Sequence, residues 1–493
     1  MYARIVLSVI CVVASPVPIA LAQSGGTFTA TGNMITARSG HTATLLLGGK
    51  VLIAGGVTTS LVITINSAGP QQTALASAEI YDPSTGMFTA TGSMTTARTS
   101  HSSILLPDGR VLIAGGSGDL SAEIYDPSSE TFTATGKLVA TPYGWLQSAT
   151  LLRDGRVFVA GQPTAQIYDP ATGMFAATAP YVNPAPDYME CAVLLADGRV
   201  LLTGGGDIGG WSELYDPVTN SFAATGGANL PCGNGWAFQP GGGGVCWFVD
   251  SNTVTLLPDG KALIAGSVDS DFGEYDVPAD AEVYDPSTGI FTSIGKTIAP
   301  HESSTATLLP DGTVLIAGSW LGDGNDDPAV ELYDPASSKF VFAGNMVSGR
   351  SGQTATLLPD GTVLIAGGGT STAEIYHPAV LVPAPVLYSL PGGTQGAIWH
   401  NTTGELALPS SPAVAGEVLA MYTNNLIEGG VIPPQVVIGG HPAEVLYFGD
   451  APGYPGFFQV NFQVPNGVAP GSAVSVRLTY IERPSNEVTI GLQ

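Results

Sequence analysis

The chain has 493 residues, only 11% of which are charged, and its acidic residues outnumber its basic residues 40 to 15. This length allows two or three domains. The formal net charge of −25 argues against nucleic acid or an anionic membrane surface as a partner, because like charges repel.

The first 22 residues have the pattern of a secretory signal peptide. Arg4 supplies the positive start, "IVLSVICVVA" is a short apolar run, and Ala20–Ala22 provides the small residues of a cleavage site before Gln23. The run is too short to span a bilayer, and no later run is long enough. An uncleaved anchor is the alternative. The sequence therefore predicts an exported protein without a transmembrane segment, either secreted, periplasmic or at the cell surface.

From residue 23 to residue 380 the chain repeats a unit of four short strands. In one copy, "SSILL" and "RVLIAGG" flank the turn "PDG", and "AEIYDP" and "TFTATG" flank a second turn. The turns have hairpin residues, and the strands are β-branched without helical periodicity. One tyrosine marks the third strand of each copy, and most copies are roughly 45 residues apart. These residues are Tyr81, Tyr125, Tyr168, Tyr215, Tyr284, Tyr333 and Tyr376. Such repeats indicate a seven-bladed β-propeller.

The two ends of the repeat region complement each other. Residues Thr27–Met34 have the pattern of a fourth strand with no preceding copy, whereas the seventh copy ends at "AEIYHP" without a fourth strand. Pairing these ends would close the ring and remove an exposed sheet edge. The sequence therefore predicts that Thr27–Met34 provides the outer strand of the seventh blade.

From residue 381 to residue 493 the pattern changes. After the Pro/Gly-rich "PAPVLYSLPGGTQG", segments such as "GEVLAMYT", "FFQVNFQVP" and "AVSVRLTYI" alternate apolar and polar residues. Several such short strands in about a hundred residues predict an immunoglobulin-like β-sandwich. These segments resemble an uncharacterised C-terminal module of secreted bacterial repeat proteins, and that resemblance implies an extracellular spacer or adhesion role.

The repeats resemble the kelch family, in particular the seven-bladed propeller of galactose-oxidase-like proteins. The resemblance covers about Gly25 to Pro378 and depends on the Tyr-Asp-Pro of the third strand and on glycine pairs after the second strand. These pairs are Gly55-Gly56, Gly115-Gly116, Gly204-Gly205 and Gly367-Gly368. The fourth-strand aromatic is Phe, as in Phe88 and Phe132, where the kelch repeat has Trp. The resemblance implies the fold but no single activity, since one fold hosts many functions.

The lengths of the connections distinguish the two faces of the ring. The second-to-third and fourth-to-first connections are long and share one face, called here the long-loop face, and loops on a rigid scaffold commonly carry function. On this face every blade starts with a polar side chain. Together these side chains form either a ligand-binding ring or a set of hydrogen bonds between blades, and in the second case Arg38, Arg98 and Arg350 would contribute to the bonding. These residues are His41, His101, Gln147, Glu190, Asn252, Ser304 and Gln353.

Tryptophans also concentrate in or beside the long connections. They are Trp145, Trp211, Trp236 and Trp320. Exposed aromatic rings beside polar groups suit sugars, although these residues could instead pack the loops onto the propeller. The main hypothesis is therefore a secreted, non-catalytic protein that binds an extracellular glycan or protein through the long-loop face without a cofactor. A structural surface module is one alternative.

A second alternative is a galactose-oxidase-like copper radical oxidase. The resemblance implies that such an enzyme uses a Tyr-His pair, a second His, a further Tyr and a Tyr cross-linked to Cys. The sequence has one Tyr-His pair, Tyr376-His377, which occupies the Tyr-Asp-Pro position away from the channel mouth. His400 and His441 fall in the predicted sandwich. We therefore assign no catalytic residue from the sequence, and copper belongs only to this alternative.

Two further sites are predicted from local composition. Cys232 and Cys246 bracket a Gly-rich loop, and a disulfide between them suits an exported protein; two buried thiols are the alternative. The segment "GDGNDDP" collects oxygen ligands that can hold calcium, although a solvated acidic loop is also consistent with it. The candidate ligands are Asp323, Asn325, Asp326 and Asp327.

Overall fold

The computed structural model describes residues 25–493 apart from 64–67, 117–119, 140–147, 162–163, 184–187, 206–210, 227–252, 268–279, 300, 302–303 and 320–325. Within these residues the regular elements are all β-strands. The all-β class predicted from the repeats is therefore confirmed. In the same part of the chain, no helix has the length and apolar character needed to cross a membrane.

Seven four-stranded antiparallel sheets form the blades of a propeller. In chain order the strands begin with β1 (Thr27–Ala30), β2 (Thr42–Leu45), β3 (Val51–Ala54), β4 (Val57–Ile63), β5 (Ala68–Ala74), β6 (Ala78–Asp82), β7 (Met87–Ala90), β8 (Ser102–Leu105), β9 (Val111–Ala114), β10 (Ala122–Asp126) and β11 (Thr131–Ala134). They continue with β12 (Ala149–Leu151), β13 (Val157–Val159), β14 (Gln166–Asp169), β15 (Met174–Ala177), β16 (Tyr188–Leu194), β17 (Val200–Gly205), β18 (Trp211–Asp216) and β19 (Ser221–Ala224). The last propeller strands are β20 (Thr253–Leu256), β21 (Ala262–Ser267), β22 (Asp280–Asp285), β23 (Ile290–Lys296), β24 (Thr305–Leu308), β25 (Val314–Ala317), β26 (Ala329–Asp334), β27 (Lys339–Asn345), β28 (Gln353–Leu357), β29 (Val363–Gly367) and β30 (Ala373–His377).

The innermost strands of the blades are neighbours around a closed ring. Strand β2 contacts both β8 and β28, and the contacts continue through β12, β16, β20 and β24. Between β3 and β6 of the first blade, β4 and β5 pair as an additional hairpin. The sequence predicted a loop there, but the run "VTTSLVI" is rich in β-branched residues, which favour a strand.

The ring closes by pairing its first strand with its last. Strand β1 is the outer strand of the seventh blade and pairs antiparallel with β30, with Thr27 opposite His377 and Ala30 opposite Glu374. The ring of Phe28 lies 5.0 Å from the ring of Tyr376. The predicted closure is confirmed, and it removes the edge that an open seventh blade would expose.

A tyrosine–phenylalanine contact recurs in every blade and explains why the motif is repeated. In the first blade the rings of Tyr81 and Phe88 are 4.7 Å apart, and Tyr81 is buried. The hydroxyl of Tyr81 lies 2.9 Å from that of Thr31, which follows the outer strand of the preceding blade. The other ring pairs are Tyr125–Phe132, Tyr168–Phe175, Tyr215–Phe222, Tyr284–Phe291, Tyr333–Phe340 and Tyr376–Phe28. Each copy buries the same surface against its neighbour, so each needs the same residues.

The remaining strands form a curled sheet. They are β31 (Ile398–His400), β32 (Val418–Thr423), β33 (Gln435–Ile438), β34 (His441–Asp450), β35 (Phe458–Gln463), β36 (Gly471–Tyr480), β37 (Arg483–Pro484) and β38 (Val488–Leu492). The first part of β34 pairs with β33 and the rest pairs with β35, so this strand passes from one layer to the other. Residues of both layers, such as Phe462 and Val476, share one buried core. The predicted sandwich-like module is therefore present as a two-layered curled sheet.

This C-terminal sheet docks on the turns that join the first and second strands of the blades. Those turns surround the end of the central channel opposite the long-loop face. Contacts join Arg477 to Leu47 of the first blade, Pro442 to Gly155 of the third, Val431 to Pro258 of the fifth and Ala384 to Pro359 of the seventh. The C-terminal sheet therefore spans the ring of turns, and its contacts named here lie on the side of the propeller opposite the long-loop face.

Candidate functional site

Polar side chains at the starts of the innermost strands link neighbouring blades on the long-loop face. The Nε2 atom of His101 lies 3.0 Å from the hydroxyl of Thr42 in the preceding blade. Gln353 donates from Nε2 to the carbonyl oxygen of Ala317 in the sixth blade, at 2.7 Å. His101 and Gln353 thus make hydrogen bonds between blades, which is one of the two interpretations that the sequence left open. The buried hydroxyl of Ser304, a third member of this ring, has no hydrogen-bond partner among the described residues.

The glycines after the second strands make room for these side chains. A Cβ atom at Gly55 would lie 2.7 Å from Cε1 of His101, and a Cβ atom at Gly367 would lie 2.5 Å from Cε1 of His41. Both glycines also have positive φ angles, 64° and 80°, which side chains rarely adopt. The glycine pairs of the repeat are therefore required by the close approach of the next blade.

His41 and His101 are held in their neutral forms. Each is 5% exposed, and burial lowers the pKa of each to about 3, with the positive charges of Arg38 and Arg98 acting in the same direction. The Nδ1 atoms of both are buried and have no hydrogen-bond partner among the described residues. A neutral imidazole is the form that can bind a metal ion, but these two rings are enclosed by the backbone of the neighbouring blade.

Buried ion pairs lie next to these blade starts. The Arg38–Glu79 pair has an N–O distance of 2.7 Å, and both side chains are at most 2% exposed. Arg38 also donates to the carbonyl oxygen of Gly55, and Glu79 accepts the backbone N–H of Ile35. Equivalent pairs are Arg98–Glu123 and Arg350–Glu374, and His301–Glu331 replaces them in the sixth blade. The arginines predicted as helpers thus fasten the first, second and seventh blades to the segments that lead into them.

The buried glutamates stabilise the fold by pairing with buried arginines, and they were not predicted from the sequence. The signal is visible as the acidic residue two positions before the marker tyrosine in "AEIYD". In the third copy this residue is Gln166, whose side-chain oxygen accepts the N–H of Val139. A charged residue that recurs at the same place in a short apolar run indicates a buried, paired carboxylate.

Several predicted site residues lie where the structure says little or nothing. Gln147, Asn252, Trp145, Trp236, Trp320, Cys232 and Cys246 lie outside the described residues. Glu190 lies in β16 and Trp211 begins β18, and their side chains are not among the described ones. The ligand-binding ring, the tryptophan surface and the disulfide therefore stay predictions.

The candidate calcium loop is described only in part. Asp323 and Asn325 lie outside the described residues. Asp327 accepts the backbone N–H of Ala329 through Oδ1, a local bond that a turn needs without a metal ion. Within the described ranges no three His, Cys, Asp or Glu residues come together as a metal site. The calcium site stays a prediction.

The positions of Tyr376, His377 and His400 can be compared with the ligand set that the resemblance implies for a copper radical oxidase. Tyr376 is buried against Phe28, whereas His377 lies 2.8 Å from the hydroxyl of Thr29 at the outer edge of the seventh blade. His400 bonds to Glu417 within the C-terminal sheet. The described residues therefore do not assemble the Tyr-His pair and second histidine that the resemblance implies, and they do not complete a copper site.

Comparisons with known proteins give a match of structure. No family model matches the chain, and a search of curated proteins found no match. The chain is similar to the solved structure of a fungal alcohol oxidase of the AA5 family in complex with copper. The TM-score is 0.59 and the sequence identity 17%, and the match covers 95% of this chain and 100% of that one. An identity this low shows a shared fold.

This match corrects two expectations. The main hypothesis of a non-catalytic binding protein is wrong by this comparison, because the matched structure is an oxidase, and the comparison favours the galactose-oxidase-like alternative. The expectation of no cofactor is corrected in the same way, since the matched structure holds copper. The sequence did not favour the oxidase because its one Tyr-His pair, Tyr376-His377, lies away from the channel mouth, whereas the similarity lies in the arrangement of the strands. The chain has the galactose-oxidase-like fold, a seven-bladed kelch-type propeller followed by a curled β-sheet.

Proposed function

We propose that the protein is an oxidase that acts on an alcohol at the long-loop face of the propeller. The observation that carries the proposal is the match along 95% of the chain to a copper-containing alcohol oxidase, which includes the C-terminal sheet as well as the propeller. The C-terminal sheet docks on the turn side, and this supports placing the reaction on the opposite face.

The reaction balances with oxygen as the oxidant. A primary alcohol loses two hydrogens and becomes an aldehyde, and O2 takes up two electrons and two protons and becomes hydrogen peroxide. In this proposal copper supplies the redox chemistry when bound. The described residues do not complete its ligand set, so we derive no step through the metal and assign no catalytic residue.

We also propose that the chain is exported. Arg4, the apolar run after it and the small residues Ala20–Ala22 support cleavage before Gln23. Expression of the full sequence in a secreting host should yield an extracellular or periplasmic chain whose N-terminus, measured by mass spectrometry, is Gln23. A chain that keeps Met1 and stays inside the cell would contradict export.

Peroxide release tests the oxidase proposal. The purified mature protein, incubated with copper and desalted, is given primary alcohols of increasing size in air, and peroxide is measured with a peroxidase-coupled dye. We expect peroxide in amounts that match the aldehyde formed, and no signal with the heat-denatured protein or with added catalase. No peroxide with any alcohol would contradict the proposal.

A structural surface module is the second candidate function. The observation that favours it is that His101, Gln353 and the arginine–glutamate pairs form contacts that hold the blades together. Because these polar groups already bond within the fold, they are not free to bind a substrate. This candidate predicts neither copper retention nor peroxide release, so the same experiments distinguish the two.

A further inference from the structure

The outer face of the C-terminal sheet carries an unusual set of side chains. Strands β31, β32, β35 and β34 are neighbours in this order. In β35 the residues alternate, so that Phe458, Val460 and Phe462 face the core while Gln459 and Asn461 face outward. The pairing of β35 with β32 and β34 identifies the residues that share this outward face.

Strand register places aromatic residues beside the two outward amides. Asn461 lies opposite Ala420 in β32 and opposite Tyr447 in β34, and Ala420 in turn lies opposite Trp399 in β31. In the next row, Gln459 lies between Tyr422 and Gly449. We call this surface, made of Trp399, Tyr422, Tyr447, Gln459 and Asn461 with the nearby Tyr454, the aromatic face.

The rings of the aromatic face are close to each other and partly open to solvent. The rings of Trp399 and Tyr422 are 5.4 Å apart and edge to face, and those of Tyr422 and Tyr454 are 6.4 Å apart. Tyr454 is 63% exposed and Tyr447 is 45% exposed. Large aromatics left this open on a sheet surface usually mark a place where something binds.

The amides supply hydrogen bonding in the middle of the face. Nε2 of Gln459 donates to Oδ1 of Asn461, at 2.9 Å, which fixes the orientation of both side chains. Oε1 of Gln459 and Nδ2 of Asn461 make no hydrogen bond to another described residue, so one acceptor and one donor remain for a ligand. A Cβ atom at Gly449 would lie 3.0 Å from the hydroxyl oxygen of Tyr447, so the ring of Tyr447 lies against this glycine in the row beside Gln459.

The charge around the face limits the class of ligand. Glu444, the fourth residue of β34, and Asp450, its last residue, are exposed, and the named residues of the face include no cation. An acidic polymer would also be repelled by the net charge of −25. The docking contacts named above come from Ala384, Val431, Pro442 and Arg477, none of which belongs to the aromatic face.

We propose that the aromatic face binds a neutral polysaccharide. The apolar faces of successive sugar rings stack on Tyr454, Tyr422 and Tyr447, and sugar hydroxyls bond to the free amide atoms of Gln459 and Asn461. The site lies on the C-terminal sheet, apart from the long-loop face, and would hold the protein on a glycan whatever reaction the propeller carries out.

Native affinity electrophoresis tests this site. The negatively charged protein migrates through gels that contain galactomannan, xyloglucan or mixed-linkage β-glucan at increasing concentration, and the retardation gives a dissociation constant. The test variant is Tyr447→Ala/Tyr454→Ala, in which both removed rings are exposed. The matched control is Phe342→Ala, which removes a 52% exposed ring from the propeller. A second variant, Gln459→Ala, removes the amide and leaves the rings.

We expect at least one neutral polysaccharide to retard the parent protein. The dissociation constant should rise about tenfold in the double tyrosine variant and in Gln459→Ala, because loss of one such contact typically weakens binding by about this factor. The dissociation constant should stay unchanged in Phe342→Ala. Equal melting temperatures for parent and variants show that the fold is intact. The proposal is overturned if none of these neutral polysaccharides retards the parent, or if the tyrosine variant binds like the parent.

Discussion

The Nε2 atom of His41 lies 3.1 Å from the hydroxyl of Thr354, and this contact joins the first blade to the seventh. Strand β1, which precedes the first blade in the chain, completes the sheet of the seventh blade. Ring closure therefore depends on β1, the outer strand of the seventh blade, and on the contact between His41 and Thr354 at the innermost strands. The two contributions can be tested separately.

Replacing Gly367 by alanine should destabilise the ring at this closure. The new Cβ atom would lie 2.5 Å from Cε1 of His41, and the residue keeps a φ of 80°. Gly369→Ala is the matched control, because Gly369 has a φ of 75° and open space around its Cβ position. We expect a loss of about 1 kcal/mol in the control and about 2–3 kcal/mol more in Gly367→Ala, measured by urea unfolding. Equal losses would show that the contact with His41 does not matter.

Acid should destabilise the fold through His41 and His101. Their folded-state pKa is about 3, well below the ordinary value of 6.5, so above pH 6.5 both are neutral in the folded and unfolded states. Below pH 6.5 the unfolded chain takes up protons that the folded chain excludes. Each histidine then reduces the free energy of unfolding by up to about 1.4 kcal/mol per pH unit until the folded pKa is reached.

The measurement is the free energy of unfolding between pH 7 and pH 4. In His41→Gln/His101→Gln the slope should become shallower, and Gln353 at the equivalent position of the seventh blade shows that glutamine fits there. The exposed His441 provides the control variant, His441→Gln, which should keep the parent slope. An unchanged slope in the double variant contradicts the assignment.

Removing the arginine of a buried ion pair should reduce the free energy of unfolding more than removing the arginine of an exposed pair. Arg98→Met leaves Glu123 buried without its cation, and we expect a loss of about 3–5 kcal/mol, of which Arg98→Met/Glu123→Gln should recover a part. Arg110, which is 42% exposed and pairs with Asp108, is the control, and Arg110→Ala should cost less than about 1 kcal/mol. Equal effects at the two arginines would contradict a structural role for the buried pair.

The propeller was predictable from the sequence because each blade repeats the same local requirements. Tyr81 and Phe88 belong to one hairpin, so their pairing follows from residues near each other in the chain. Docking was not predictable, since it joins Val431 to Pro258, residues distant in sequence that no repeat relates. The candidate site was the least predictable part, because the long loops that hold Trp145 and Trp236 follow no repeat and no local pattern fixes their shape.

Copper retention tests the central claim most directly. The mature protein is loaded with a copper salt, desalted against a weak chelator, and its copper content per chain is measured by elemental analysis, with a desalted unrelated protein of similar negative charge as the control. An oxidase of the galactose-oxidase-like kind should retain close to one copper ion per chain. Copper at the level of the control protein would contradict the oxidase proposal and leave the structural surface module as the function of this fold.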